Sequence, residues 1–148
     1  MSREDIDLSL KLFVVLSRAH RTITDKANQS IQRFGLNPTE FAVLELLYHK
    51  GTQPLQQIGG KILLASGSIT YVVDKLEGKG LLARKACEKD RRVTYAELTD
   101  KGNELLNEIF PQHEQRINEL VAGLTIEEKE MAIQLLKKLG LFTANLTS

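Results

Sequence analysis

The chain has little of what would point to a secreted, membrane-bound or disulfide-stabilised protein. Its one cysteine, Cys87, among 148 residues excludes an internal disulfide and fits a reducing compartment. No apolar run approaches the roughly 20 residues that cross a bilayer, and the charged N-terminus lacks the layout of a signal peptide. The sequence therefore predicts a cytoplasmic protein with no membrane partner.

Motifs for catalysis and for cofactor binding are also missing. No glycine spacing typical of a phosphate-binding loop is present. The histidines His20, His49 and His113 are widely spaced, and no cysteine or carboxylate lies at the short intervals of a metal site. Cys87 has no assignable partner base. We therefore expect no enzymatic activity, no cofactor and no metal.

Helical patterns dominate the sequence, whose length suits one domain over residues 1–148. Apolar residues at three- and four-residue steps predict a long first helix that ends near Phe34. The run Asn37-Pro38-Thr39-Glu40 predicts that a second helix starts at Pro38, because it supplies a cap, a first-turn proline and a carboxylate. A short third helix follows, and its Gly59-Gly60 pair is interpreted as a point of close packing.

A fourth helix carries its apolar residues on one side only. Ile69, Val72, Val73 and Leu76 recur at helical spacing and are expected to face the core. With the third helix it predicts a helix-turn-helix over about residues 54–77, a motif whose second helix enters the major groove of DNA. The opposite face carries the polar side chains that would meet base edges there, namely Ser68, Thr70, Tyr71, Asp74 and Lys75. An ordinary solvated helix face is the alternative.

A basic hairpin follows directly. Residues 79–95 carry six Lys or Arg against two acidic residues, a charge of +4 in a chain of net charge +1, and such clusters attract phosphate. Two strand-like runs predict a wing over about residues 82–98. Its tip would present Lys89, Arg91 and Arg92 to the minor groove. Asp90 is expected to hold and aim Arg92 through a charge-assisted hydrogen bond.

These runs resemble the MarR family of bacterial transcription regulators. The matching segments are Ser66-Gly67-Ser68-Ile69-Thr70, Lys79-Gly80-Leu81-Leu82-Ala83-Arg84, Asp90-Arg91-Arg92 and Leu98-Thr99-Asp100-Lys101-Gly102. The resemblance covers nearly the whole chain. It implies a mainly α fold with a small β-wing (α+β), in which a winged helix-turn-helix is flanked by N- and C-terminal dimerisation helices.

The same resemblance assigns roles to individual residues. It implies that the recognition helix faces DNA through Ser66, Ser68, Thr70, Tyr71 and Lys75, and that Asp90 and Arg92 form the wing pair. Segments 36–41 and 64–71 further resemble the hydroquinone- and catechol-responsive branch of the family. This implies a regulator of double-stranded DNA, most often a repressor, that a small phenolic or quinone effector releases.

The two ends of the chain independently predict a homodimer. Residues of about 5–34 and 100–142 carry long apolar stripes, and the latter segment includes a capping box of Thr125 and Glu128. A small lobe within one chain offers little surface on which such long helices could bury their apolar stripes, so a partner chain is expected to cover them. The alternative is that the helices pack against each other inside one chain. A two-fold dimer would place its recognition helices about one DNA turn apart, roughly 34 Å, and would predict a pseudo-palindromic operator.

Two other functions stay open. Lysine and arginine side chains near Cys87 could favour its thiolate, which would make the protein a redox-sensing regulator, against the simpler reading of an incidental surface cysteine. The second is a protein-interaction module whose basic hairpin docks an acidic partner and does not bind DNA sequence-specifically.

Overall fold

The computed structural model describes residues 1–62 and 66–147, and within them the chain forms six helices and a small antiparallel sheet. The elements are α1 Arg3–Arg33, α2 Pro38–Lys50, β1 Gln53–Pro54, α3 Leu55–Lys61, α4 Ser66–Gly78, β2 Leu82–Ala86, β3 Thr94–Leu98, α5 Asp100–Leu120 and α6 Ile126–Ala144. This order confirms the predicted fold class, mainly α with a small β-wing.

Local capping interactions start α2 and α6. The Asn37 side chain accepts a hydrogen bond from the Glu40 backbone N–H at 2.7 Å, and Glu40 Oε1 accepts one from the Asn37 N–H at 2.9 Å. Thr125 and Glu128 make the same reciprocal pair. Both predicted helix starts are confirmed, since each cap satisfies amide groups that have no partner within the helix.

The glycine pair of α3 corrects one interpretation. Gly59 is buried, but Gly60 is exposed, and a Cβ atom added there would meet nothing within 4 Å. The prediction of close packing is therefore wrong for Gly60.

The core lies between α2, α3, α4, α5 and the base of the wing. Its fully buried large side chains are Leu44, Ile58, Leu76, Leu82, Leu106, Val43 and Val73. The sheet has the order β1-β3-β2, and the hairpin register runs from Leu82 opposite Leu98 to Ala86 opposite Thr94. The connection between β2 and β3 therefore projects away from the core.

In contrast, α1 and α6 are barely covered within one chain. Only Ser30 and Ile31 are buried in α1, and no residue of α6 is buried. Between the two helices runs an apolar groove of about 520 Å³. It is lined by Ser9, Leu12, Phe13, Leu16, Leu136, Leu139, Gly140 and Thr143.

A partly buried ion pair joins the start of α2 to the end of α4. Lys79 Nζ lies 2.8 Å from Glu40 Oε2, and the Glu40 side chain is 3% exposed. Burial raises the pKa of Glu40, but the hydrogen bonds from Lys79 and from the Asn37 backbone outweigh it and leave the pKa below its usual value. Glu40 therefore stays ionised and links two elements that lie far apart in sequence.

We expect Lys79→Met to destabilise the fold by about 1–2 kcal/mol at neutral pH, because it leaves a buried carboxylate without its partner. The cost stays below that of a fully buried pair, since the Lys79 side chain is 39% exposed. Because folding lowers the pKa of Glu40, the pair stabilises the protein above the unfolded pKa, and its contribution is lost as the pH falls through the folded pKa.

Urea unfolding at pH 7 and at pH 3.5 measures this difference. The gap between wild type and Lys79→Met should narrow in acid. A gap of equal size at both pH values would show that the loss does not depend on the charge of Glu40.

Candidate nucleic-acid interface

Helix α4, the predicted recognition helix, separates its apolar and polar faces as its sequence predicts. Ile69, Val72, Val73 and Leu76 are buried. Exposed side chains on the other face are Ser68, Thr70, Tyr71, Asp74 and Lys75. The side chain of Ser66, also expected to face DNA, lies outside the described residues. A continuous polar face is therefore available to a partner.

Two side chains on this face form a cation–π pair. The Tyr71 side chain is 65% exposed, and Lys75 Nζ lies 5.7 Å from the centre of its ring. A cation at this distance is attracted by the electron-rich ring face. Such a pair presents a flat apolar surface, a hydroxyl group and a positive charge together, which are the groups that contact bases and phosphates.

The wing tip carries the predicted pair of Asp90 and Arg92. Asp90 Oδ1 accepts hydrogen bonds from the Arg92 backbone N–H at 3.0 Å and from Nε at 3.1 Å, while Oδ2 accepts one from Nη2 at 3.3 Å. These bonds from Arg92 lower the pKa of Asp90, because they favour the charged form of its carboxyl group. The Arg92 side chain is 90% exposed, and Lys89 and Arg91 are exposed beside it. The predicted contact is confirmed.

The recognition helix and the wing border a common cleft. It has a volume of about 310 Å³ and lies between α3, α4 and the wing. Thr70 on α4 and Arg92 on the wing are both among its lining residues. The fold therefore brings two of the predicted contact residues, 22 positions apart in sequence, to one side of the molecule.

Part of the predicted positive charge is not available to phosphate. Lys79 pairs with Glu40, and Arg84 lies 2.6 Å from Asp74 and 2.8 Å from Glu77. All three acidic partners lie outside residues 79–95, so counting charge within that segment overestimates its free positive charge. The cations that project from the wing are concentrated at its tip.

Cys87 lies at the end of β2 and is half-buried. Its backbone N–H donates to the Val93 carbonyl at 3.1 Å. Of the cations expected to activate its thiol, Arg84 is committed to two carboxylates of α4. The redox role of Cys87 stays a prediction.

An aromatic cluster, which sequence reasoning missed, lies where the end of α1 meets α2 and α5. Its rings are Phe34, Phe41, Tyr48, His49, Phe110 and His113. The His113 and Phe41 ring centres are 4.6 Å apart, and the buried Nδ1 of His113 has no hydrogen-bond partner among the described residues. No spacing along the chain signals this cluster, because its members come from separate helices.

A cleft of about 380 Å³ borders this cluster between α1 and α5. Its lining includes Phe34 and two arginines, Arg33 and Arg116. Within the described residues, no group of three or more His, Cys, Asp or Glu side chains is placed to hold a metal ion. Nor is any helix there long and apolar enough to span a membrane.

Comparison with known proteins places this geometry among transcription regulators. The model of the MarR family matches residues 36–94. The HTH-type transcriptional regulator MhqR of Bacillus subtilis is 67% identical over 133 residues, which cover 90% of this chain and 92% of that protein. Proteins of this kind regulate transcription and are not enzymes.

Solved structures share the fold. A crystal structure of an Escherichia coli MarR variant complexed with operator DNA superposes with a TM-score of 0.80 at 20% identity, covering 90% of this chain and 96% of that one. A structure of Bordetella bronchiseptica BpsR, whose DNA binding is regulated by 6-hydroxynicotinic acid, superposes with a TM-score of 0.77 at 26% identity. The match covers 88% of this chain and 98% of that one.

Proposed function

This chain belongs to the MarR family of transcriptional regulators, and from that premise we propose that it is a homodimeric repressor of a pseudo-palindromic operator. One observation carries the proposal most directly: an exposed polar recognition helix and an arginine-tipped wing border the same cleft. In this arrangement Ser66, Ser68, Thr70, Tyr71 and Lys75 meet the major groove. Lys89, Arg91 and Arg92 meet the backbone and minor groove, and Asp90 aims Arg92.

The partner chain would cover the exposed apolar surface of α1 and α6. Exposed leucines in both helices cost free energy in water unless another surface covers them. Pairing through these end helices leaves both recognition helices free on one side of the dimer. Each would then occupy one half-site of the operator. Since its target is duplex DNA, we place the protein in the cytoplasm.

We further propose that a small phenolic or quinone compound releases the operator. The cleft between α1 and α5 supports this, because it joins the proposed dimer helices to the aromatic cluster behind the DNA-binding lobe. Arg33 offers hydrogen-bond donors to an acidic hydroxyl or carboxylate, and Phe34 offers a ring for stacking. Arg116 keeps further donors beyond the Nη1 group that pairs with Glu119 at 3.2 Å in the same cleft. Adding catechol to the preformed complex tests the idea, which fails if operator affinity does not fall.

We expect tight, salt-sensitive binding to a duplex that spans the gene's own upstream region. Fluorescence anisotropy with unlabelled random duplex as competitor measures this. Arg92→Ala should weaken binding by about tenfold and reduce the slope of log affinity against log salt by about 1, because one phosphate or minor-groove contact is lost.

The matched control is Lys50→Ala. It removes one exposed positive charge from the end of α2, which belongs neither to the proposed dimer helices nor to the proposed DNA contacts, and should leave the slope unchanged. The regulator proposal fails if wild type binds the upstream region of its own gene no more tightly than random duplex and also shows no preference for other candidate promoters. A protein-docking role for the basic hairpin would then be favoured.

A further inference from the structure

Arg84 connects the wing to the recognition helix through three hydrogen bonds. From the middle of β2, its Nη2 donates to Asp74 Oδ1 at 2.6 Å and its Nη1 donates to Glu77 Oε1 at 2.8 Å. Its backbone N–H also donates to Glu77 Oε2 at 3.1 Å. Asp74 and Glu77 lie three positions apart on α4, so both point toward the same strand. A planar guanidinium suits two acceptors at once, and a lysine ammonium does not.

Because of its position, this contact controls the angle between the wing and α4. The wing leaves α4 through a short turn at Gly80, whose φ of 76° favours glycine, and the Leu81 N–H caps that turn by donating to the Leu76 carbonyl. Arg84 pairs with Ala96 in the sheet register, and the tip that carries Arg92 lies beyond it. A rotation of the hairpin about its base is therefore amplified at Arg92.

The contact also neutralises negative charge on the exposed face of α4, which DNA would approach. Asp74 belongs to the exposed polar face, and its side chain is 61% exposed. An unpaired carboxylate there would repel phosphate. The side chain of Arg84 is only 26% exposed and is turned toward the helix. Its positive charge therefore pairs with carboxylates of the protein and is not directed toward phosphate.

We infer that Arg84 is a positioning residue that sets the angle between wing and recognition helix. It thereby fixes the distance from Tyr71 and Lys75 in the major groove to Arg92 in the minor groove. This inference rests on the proposed function, since it concerns how the two DNA-contacting parts are held in register. It also predicts that Arg84 itself makes no phosphate contact.

A double-mutant cycle between Arg84→Met and Arg92→Ala tests the inference. Alone, Arg84→Met should lower operator affinity about tenfold, since the arginine at the tip no longer meets its groove. In the Arg92→Ala background, the same change should cost less than about twofold, because the contact it positions is already gone. Hydroxyl-radical protection of the minor groove at the ends of the operator should be lost in both single variants.

Lys85→Met is the matched control, because it removes a charge from the next residue of β2, which is exposed and faces the other side of the sheet. Its effect should add to that of Arg92→Ala. Arg84→Lys keeps the positive charge but lacks the planar guanidinium that binds two carboxylates at once. It should therefore reproduce most of the loss of operator affinity seen in Arg84→Met. The variant with Asp74→Asn and Glu77→Gln added to Arg84→Met should recover at most about twofold of the affinity, which is the part lost to repulsion between the unpaired carboxylates and phosphate.

Several outcomes overturn the inference. Additive losses from Arg84→Met and Arg92→Ala would show that the two act separately. A further reduction of the salt slope by about 1 when Arg84→Met is added to Arg92→Ala would indicate a direct phosphate contact of Arg84. Recovery of affinity to the wild-type level in the variant without carboxylates would show that Arg84 only neutralises charge. All of these require wild type to bind its operator, so a wild type that does not bind contradicts the proposed function instead. Thermal unfolding of each variant separates these effects from loss of folding.

Discussion

We expect the substitution Gly102→Ala to destabilise the folded chain by about 3 kcal/mol, at the upper end of the cost of overpacking. Gly102 lies in the first turn of α5, where the backbone of Leu81 crosses the helix. A Cβ atom there would clash with the Leu81 carbonyl oxygen and would lie 3.1 Å from its carbonyl carbon and 3.2 Å from Leu98 Cδ2. Two of these atoms belong to a backbone that cannot swing aside as a flexible side chain would.

Relaxation at this site is blocked by its own hydrogen bonds. Thr99 caps α5 by accepting from the Gly102 N–H at 3.0 Å, and its hydroxyl donates to the Gly80 carbonyl at 2.6 Å. The Thr99 N–H donates to the same Leu81 carbonyl that a Cβ would meet. Moving α5 away would therefore break the contacts that join the wing base to the helix.

Chemical denaturation of Gly102→Ala measures the loss, with Gly123→Ala as control. A Cβ atom at Gly123 meets nothing within 4 Å, so that variant should unfold within about 0.5 kcal/mol of wild type. Equal stability of the two variants would contradict the close approach of Leu81 to α5.

We expect Leu136→Asp to convert the protein to a monomer and to weaken operator binding by at least about 100-fold. The second effect follows because the two DNA-binding lobes would no longer be linked, and linkage raises affinity by about 10² to 10⁴. Leu136 lines the groove between α1 and α6 and is 49% exposed within one chain. A carboxylate at the centre of an apolar interface is desolvated without a partner.

Lys137→Asp is the matched control, because it introduces the same side chain at the next position of α6, which does not line the groove. Sedimentation equilibrium at micromolar concentration gives the mass, and anisotropy gives the affinity. If Leu136→Asp stays dimeric, the chain pairs through some other surface. If it becomes monomeric but binds DNA as tightly as wild type, a single lobe suffices for operator binding.

Local sequence determined much of the fold and part of the site. The capping pair of Asn37 and Glu40 spans three residues, and the wing pair of Asp90 and Arg92 spans two. Side chains this close in sequence meet whenever the expected local conformation forms. The buried face of α4 was likewise evident, since a helical period of 3.6 residues requires no knowledge of the neighbouring elements.

Contacts between distant elements could not be predicted in the same way. The charge pattern of the sequence predicts that Lys79 is available to phosphate, yet this side chain forms an ion pair with Glu40, and Arg84 forms two with α4. Their partners depend on how α2, α4 and the wing pack together. The same holds for Gly102, whose lack of a side chain matters only because Leu81 folds back over α5.

The central claim, that a dimer reads two half-sites with recognition helix and wing, is tested most directly by hydroxyl-radical and methylation-interference footprinting on the gene's own operator. We predict two major-groove contacts centred about one helical turn apart, roughly 10 base pairs. Each should be flanked on its outer side by minor-groove protection that Arg92→Ala removes. A single protected segment, or protection that Arg92→Ala leaves intact, would contradict the claim.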